Sequence, residues 1–194
     1  MRPNFVQIFN SILLVGSNYF LATSSFEYWL STPIYTSTNL GNWTLYAHTF
    51  TRPSQVKSPT LSYINGMYYL ASMTRWTYDP VARAGSRVMW SVSEDLKTWS
   101  DPIWSDCWGI DPSLFHNPVS EKVPLNLMAP NNDVDRIWGI YQCEVDLSTG
   151  RCKGQYRSLW NGTMTHDSSA RPESPEMFWR EGFYYLLIAK GKST

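Results

Sequence analysis

A strand–turn–strand pattern recurs four times along this chain, and that repeat constrains the fold more than any other feature. SILLVGSNYFLATS at 11–24, SPTLSYINGMYYLASM at 58–73 and ESPEMFWREGFYYLLIAK at 173–190 each pair a short apolar segment with an aromatic-rich one. A Gly- or Asn-containing turn separates the two halves. A fourth copy opens with DPSLF at 111–115, and its second strand is hidden in the Pro- and Asn-rich 117–132. The anchors Leu13, Leu61, Leu114 and Met177 stand 48, 53 and 63 residues apart.

The segments after these pairs repeat as well. Ser37-Thr38-Asn39-Leu40-Gly41-Asn42-Trp43 and Ser93-Glu94-Asp95-Leu96-Lys97-Thr98-Trp99 share S-x-x-L-x-x-W. CEVDLSTG at 143–150 keeps the Leu and replaces the Trp with Gly. Each unit therefore predicts four strands, and four-stranded units of about 40–50 residues are the signature of propeller blades. No sustained i, i+3, i+4, i+7 apolar pattern argues for helices. A β-sandwich of short strands would share the turn spacing but does not explain four matched anchors. The expectation is an all-β chain forming about three and a half blades of a propeller. Propellers close with about four to eight blades, so residues 1–194 are expected to be the N-terminal part of one larger propeller domain.

Composition removes several function classes. Sixteen Lys+Arg balance 16 Asp+Glu, which leaves no basic face for nucleic acid or anionic lipid. No apolar run approaches the roughly 20 residues that span a bilayer. Ten Trp, 12 Tyr and 8 Phe suit β-rich cores, and a few such rings suit a sugar site. His48, His116 and His166 lack catalytic zinc spacing, and Cys107, Cys143 and Cys152 lack C-x-x-C spacing, so neither a metal nor a cofactor is expected. Cys143 and Cys152 flank DLSTG and could pair across a hairpin; buried free thiols are the favoured reading. His166-Asp167-Ser168 and the acidic 131–135 read as polar loops.

The opening FVQIFNSILLVG, residues 5–16, admits a reading as a targeting segment. Gln7, Asn10 and Ser11 interrupt its apolar core, however, and no A-x-A cleavage pattern follows. The repeat assigns it instead to the inner hairpin of blade one. Two sequons, at Asn42 and Asn161, point to secretion, so the compartment stays open between secreted and cytoplasmic.

In a propeller the innermost strands surround the axis, so residues at equivalent repeat positions converge. Before the Pro of each anchor stand Ser58, Asp111 and Ser174, with Glu173 one residue earlier in blade four. Asp111 and Glu173 are thus expected at one funnel. Two acids across an aromatic-rich pocket are the minimum for glycosidic bond cleavage, because one must stay protonated to serve the leaving oxygen. Taken singly, Asp111 reads as an Asx turn and Glu173 as a solvated loop acid. Their matched repeat positions favour the functional reading.

These residues resemble glycoside hydrolase family 43, in particular its β-xylosidase and α-arabinofuranosidase members. The resemblance rests on ATSSFEYW (22–29), PIYTSTNLGNW (33–43), TRPSQ (51–55), PTLSYINGMYYL (59–70), GIDPSLF (109–115), CEVDLSTG (143–150) and PESPEMFWREGFYYLLIAKG (172–191). It implies a five-bladed propeller and inverting hydrolysis of xylo- or arabino-oligosaccharides. It also implies that Glu173 is the general acid, that Asp111 tunes and orients it, and that Phe26 lines the sugar pocket. Where the family carries F-N-P-D-P-S-I, with its aspartate base, this chain reads Phe9-Asn10-Ser11-Ile12. Neither Phe9 nor Asn10 can accept a proton near neutral pH, so the base is absent. The family's longer loop after TRPSQV is also missing. The expectation is a glycosidase lineage whose chain here is weakly active or inactive. A silent carbohydrate-binding propeller and an interaction propeller are the alternatives. Xylose versus arabinose, endo versus exo attack and oligomeric state are left open.

Overall fold

The computed structural model describes residues 10–24, 32–49, 56–74, 87–130, 137–162 and 170–192. Among them the chain is all strand, turn and loop. Sheet one contains β1 (Asn10–Val15), β2 (Asn18–Thr23), β3 (Pro33–Ser37) and β4 (Thr44–His48). Sheet two contains β5 (Val56–Ile64), β6 (Met67–Thr74), β7 (Arg87–Ser93) and β8 (Ile103–Trp104). Sheet three contains β9 (Ile110–Leu114), β10 (Pro124–Pro130), β11 (Trp138–Glu144) and β12 (Arg157–Trp160). The fourth is the hairpin of β13 (Ala170–Arg180) and β14 (Phe183–Lys192). Each sheet is an antiparallel meander in chain order, which makes three blades and the first half of another.

Local chemistry sets the turns. Asn65 and Gly66 take φ of 49° and 84°, and Glu181 and Gly182 take 52° and 87°. Both pairs form the left-handed two-residue turn that matches strand twist, closing Ile64↔Met67 and Arg180↔Phe183. The S-x-x-L-x-x-W repeat is one structure built twice. Asn39 Oδ1 accepts from the N–H of Gly41 and Asn42, and Asp95 Oδ1 from Lys97 and Thr98. The following leucines, Leu40 and Leu96, lie at φ 59° and 63°, and Trp43 and Trp99 donate Nε1–H to their carbonyls at 3.0 and 3.1 Å. In the third copy Asp146 Oδ1 accepts from Ser148 and Thr149. Gly150 replaces the Trp at φ 78°, where any Cβ would overlap the Trp104 carbonyl.

The core lies between consecutive sheets, as stacked blades require. Phe20, Ala22 and Ile34 of sheet one meet Leu61, Leu70 and Leu96. Ile64, Ala71, Val88 and Trp90 of sheet two meet Leu114, Leu125, Leu127 and Val145. Met128, Trp138 and Ile140 of sheet three meet Leu186 and Ile188. Trp90 is fully buried and donates Nε1–H to the Leu147 carbonyl at 2.9 Å, so its polar edge is satisfied across a blade boundary.

The inner strands β1, β5, β9 and β13 are bound to one another by side chains. Leu61 N–H donates to Ser11 Oγ at 3.1 Å, and Ser62 Oγ–H donates to the Leu114 carbonyl at 2.7 Å. Ser113 Oγ–H donates to the Pro175 carbonyl. These bonds hold the four inner strands side by side.

Two sequence readings change. The missing second strand of blade three is β10, reached through a loop in which Asn117 Oδ1 accepts from Val119 and Ser120. The favoured free thiols are corrected: Cys143 and Cys152 form a disulfide, and Cys107 is a buried free thiol. The antiparallel bridge Val145↔Cys152 folds the hairpin so that the two Cα atoms stand 6.0 Å apart, within the usual range for a disulfide.

Candidate active site

Asp111 follows Ile110 at the start of β9 and is 4% exposed. Its Oδ2 accepts the Ser174 backbone N–H at 2.9 Å, and the Ser58 hydroxyl donates to the same carboxyl. Burial raises the Asp111 pKa above its ordinary value of 3.8, and the bonds from Ser58 and Ser174 oppose that rise.

The three matched positions share an uncommon backbone. Ser58, Asp111 and Ser174 lie at φ 52°, 53° and 50°. For residues with a Cβ this costs on the order of 1–3 kcal/mol each. The ladder is interrupted at each of these positions: register shifts fall between Lys57 and Thr60, between Ile110 and Ser113 opposite Met128 and Asn126, and between Glu173 and Glu176. The bulges turn the carboxyl of Asp111 and the N–H of Ser174 toward each other. Strain repeated at one place in three blades is therefore a built feature that aims groups at the axis.

Glu173 immediately precedes Ser174, is half-buried, and pairs with Ala189 of β14. The structure thus brings Asp111 to the backbone beside Glu173, the two inner-strand acids that the repeat aligned. Asn10 begins β1 opposite Thr23. Strand β1, NSILLV, carries no carboxylate. Phe9 and Phe26 lie outside the described residues.

Sequence reasoning missed two residues. Ser58 had a matched position but no role, and it donates to Asp111. Glu176 was unremarked, yet it is half-buried and bonds the Ser11 hydroxyl. Burial raises its pKa above 4.5, with the Ser11 bond opposing. Ser11 in turn accepts from Leu61 N–H, so Glu176 ties blade four to blades one and two. A spacing of three from Glu173 would put it on the opposite face of a regular strand. The register shift between Glu173 and Glu176 is what changes that, so the sequence held no signal for it. Among the described residues no His, Cys, Asp or Glu groups with Asp111 as a ligand set.

The sequence profile described as Glycosyl hydrolases family 43 matches residues 9–194. The chain is 31% identical over 193 residues to Xylosidase/arabinosidase 43B of Humicola insolens, covering 93% of this chain and 35% of that protein. It is 30% identical over 200 residues to Xylan 1,3-beta-xylosidase of Vibrio sp, covering 93% and 36%. The solved structure of xylan beta-1,4-xylosidase from Bacillus halodurans C-125 superposes with a TM-score of 0.79 at 26% identity. That match covers 95% of this chain and 37% of the other. The chain therefore spans about a third of the length of these relatives. With a profile match across nearly all of its residues, the chain belongs to glycosyl hydrolases family 43.

Proposed function

We propose that this chain carries the acid half of an inverting glycosidase site for xylosidic or arabinofuranosidic bonds, without the base. Glu173 acts as general acid to the leaving oxygen, and Asp111 orients it and keeps its proton available. Residues 1–194 act as part of a single five-bladed propeller domain, with a xylo- or arabino-oligosaccharide as the substrate. The observation that carries the reading is the Asp111 Oδ2 bond to Ser174 N–H at 2.9 Å. That bond fixes the backbone next to Glu173 against a second carboxyl. In the proposed site Asp111 lies close enough to the Glu173 carboxyl for the two to favour one shared proton on substrate binding, the state a general acid needs.

Inversion also needs a carboxylate that deprotonates water on the opposite face of the sugar. Strand β1 offers none. Loss of a general base typically removes about 10²–10⁴-fold in rate, so hydrolysis by this chain is weak or absent.

An exogenous azide anion attacks the anomeric carbon without needing a base, so it separates the two halves of the chemistry. With phenyl β-xyloside or phenyl arabinofuranoside, azide yields a glycosyl azide of inverted configuration, and Glu173→Gln abolishes it. Absence of that product with either sugar, or its persistence in Glu173→Gln, would refute the acid assignment.

A second reading, a silent sugar-binding propeller, is favoured by the same lack of a carboxylate on β1. It predicts xylo-oligosaccharide binding by calorimetry with no azide product.

A further inference from the structure

The three cysteines, scattered at 107, 143 and 152, converge on the outer part of blade three. Their sulfurs all lie within 4.8 Å of one another. Cys107 is 4% exposed, Cys143 is 2% exposed, and Cys152 is half-buried. Cys107 lies in the segment between β8 and β9, and that segment is clamped onto the Cys143–Cys152 hairpin. Ser105 Oγ–H donates to the Gly150 carbonyl at 2.8 Å, Cys152 N–H donates to Asp106 Oδ1 at 2.8 Å, and Trp108 N–H donates to Tyr156 Oη at 2.7 Å.

We propose that the reduced chain binds one soft d¹⁰ cation, of the zinc, cadmium or cuprous class, through the thiolates of Cys107, Cys143 and Cys152. Thiolates select such cations over hard ones. A tetrahedral ion with metal–sulfur bonds of about 2.3 Å sets its sulfurs roughly 3.8 Å apart. The Cys107 sulfur lies within 4.8 Å of both disulfide sulfurs, so opening the S–S bond and rotating the side chains completes the triangle. Asp106 stands beside it, with Oδ1 4.0 Å from Cys107 Sγ, and supplies or positions the fourth ligand. Tyr156 hydrogen-bonds the Cys107 sulfur, and the Cys107 N–H donates to Ser105 Oγ at 3.0 Å, outer support that fixes a ligand's direction. Half-buried Cys152 gives the ion its route in.

Disulfide and metal exclude each other. Opening Cys143–Cys152 takes two electrons: a trialkylphosphine breaks the S–S bond, becomes its oxide by taking oxygen from water, and leaves two thiols. The metal then displaces three thiol protons. The site stands apart from the glycosidase reading and does not depend on it.

The test uses the whole 194-residue chain with Co²⁺ as probe, after phosphine reduction. The expected result is a near-ultraviolet thiolate-to-cobalt charge-transfer band that saturates at one equivalent and is displaced by Zn²⁺. The unreduced chain gives no band, and Cys107→Ser loses the intensity of one thiolate in three. Without any substitution, Zn²⁺ protects all three cysteines of the reduced chain from alkylation, read by intact mass. A reduced chain with no band and no protection would overturn the proposal. A band equal in the unreduced chain, or unchanged in Cys107→Ser, would overturn it as adventitious binding.

Discussion

The backbone N–H of Ser174 reaches Asp111 Oδ2 at 2.9 Å, joining two inner strands through residues 63 positions apart. Both residues sit in left-handed backbone, at φ 50° and 53°, so strained geometry on each strand is held by the bond between them. Asp111→Ala strands the Ser174 N–H and the Ser58 hydroxyl in a buried place, and an unmet buried donor costs about 1–3 kcal/mol. Asp111→Asn keeps a carbonyl acceptor for Ser174 and costs less. Denaturant midpoints check this. Equal losses for the two substitutions would mean the bond carries no stability.

Asp111 and Glu176 both have pKa values raised by burial, from 3.8 and 4.5. A raised carboxyl binds more protons folded than unfolded, so its contribution is full below the unfolded pKa. It is lost as pH rises through the folded value. Glu176→Gln removes that loss at one site while keeping an acceptor for Ser11. Its thermal midpoint should gain on the parent as pH climbs from about 4.5. A difference that stays constant with pH would contradict the burial of this acid.

The Cys143–Cys152 disulfide closes a loop over a sequence separation of 9. The chain-entropy relation gives about 2.5 kcal/mol for a loop of that size. Phosphine reduction without added metal, or Cys143→Ser with Cys152→Ser, should lower unfolding free energy by about that much. The readout is guanidinium unfolding, and an unchanged midpoint would rule out a closed disulfide in the native chain.

Gly150 combines φ 78° with a backbone approach to the Trp104 carbonyl that leaves no room for a Cβ. Gly150→Ala therefore pushes apart the turn and the end of β8, and should cost about 2–3 kcal/mol. Gly182→Ala, also at positive φ but with open space around it, should cost about 1 kcal/mol. Comparable losses at the two sites would show that the Trp104 contact does not constrain the blade.

Much of the fold was legible because its turns write themselves into sequence. Asn39 and Asp95 precede leucines at positive φ and are followed by tryptophans that bond back to them, so the whole turn appears as S-x-x-L-x-x-W. Strand β10 was illegible for the opposite reason. PLNLMAP is buried along nearly its full length, so it shows neither alternation nor an amphipathic face. At the site, Asp111 and Glu173 stood out by repeat position. Glu176 did not, because only packing separates a half-buried acid bonded to Ser11 from a solvated one. The disulfide depended on the Val145↔Cys152 bridge, a cross-turn register that spacing alone does not encode.

The central claim is that Glu173 and Asp111 stand at the site while β1 supplies no base. Hydrolysis of phenyl β-xyloside and phenyl arabinofuranoside by the purified chain, without azide, tests it most directly. The account predicts phenol release that is weak or indistinguishable from the protein-free blank for the parent, and no faster for Glu173→Gln. Clear turnover by the parent chain that disappears in Glu173→Gln would contradict it, because a working base would then have to be present.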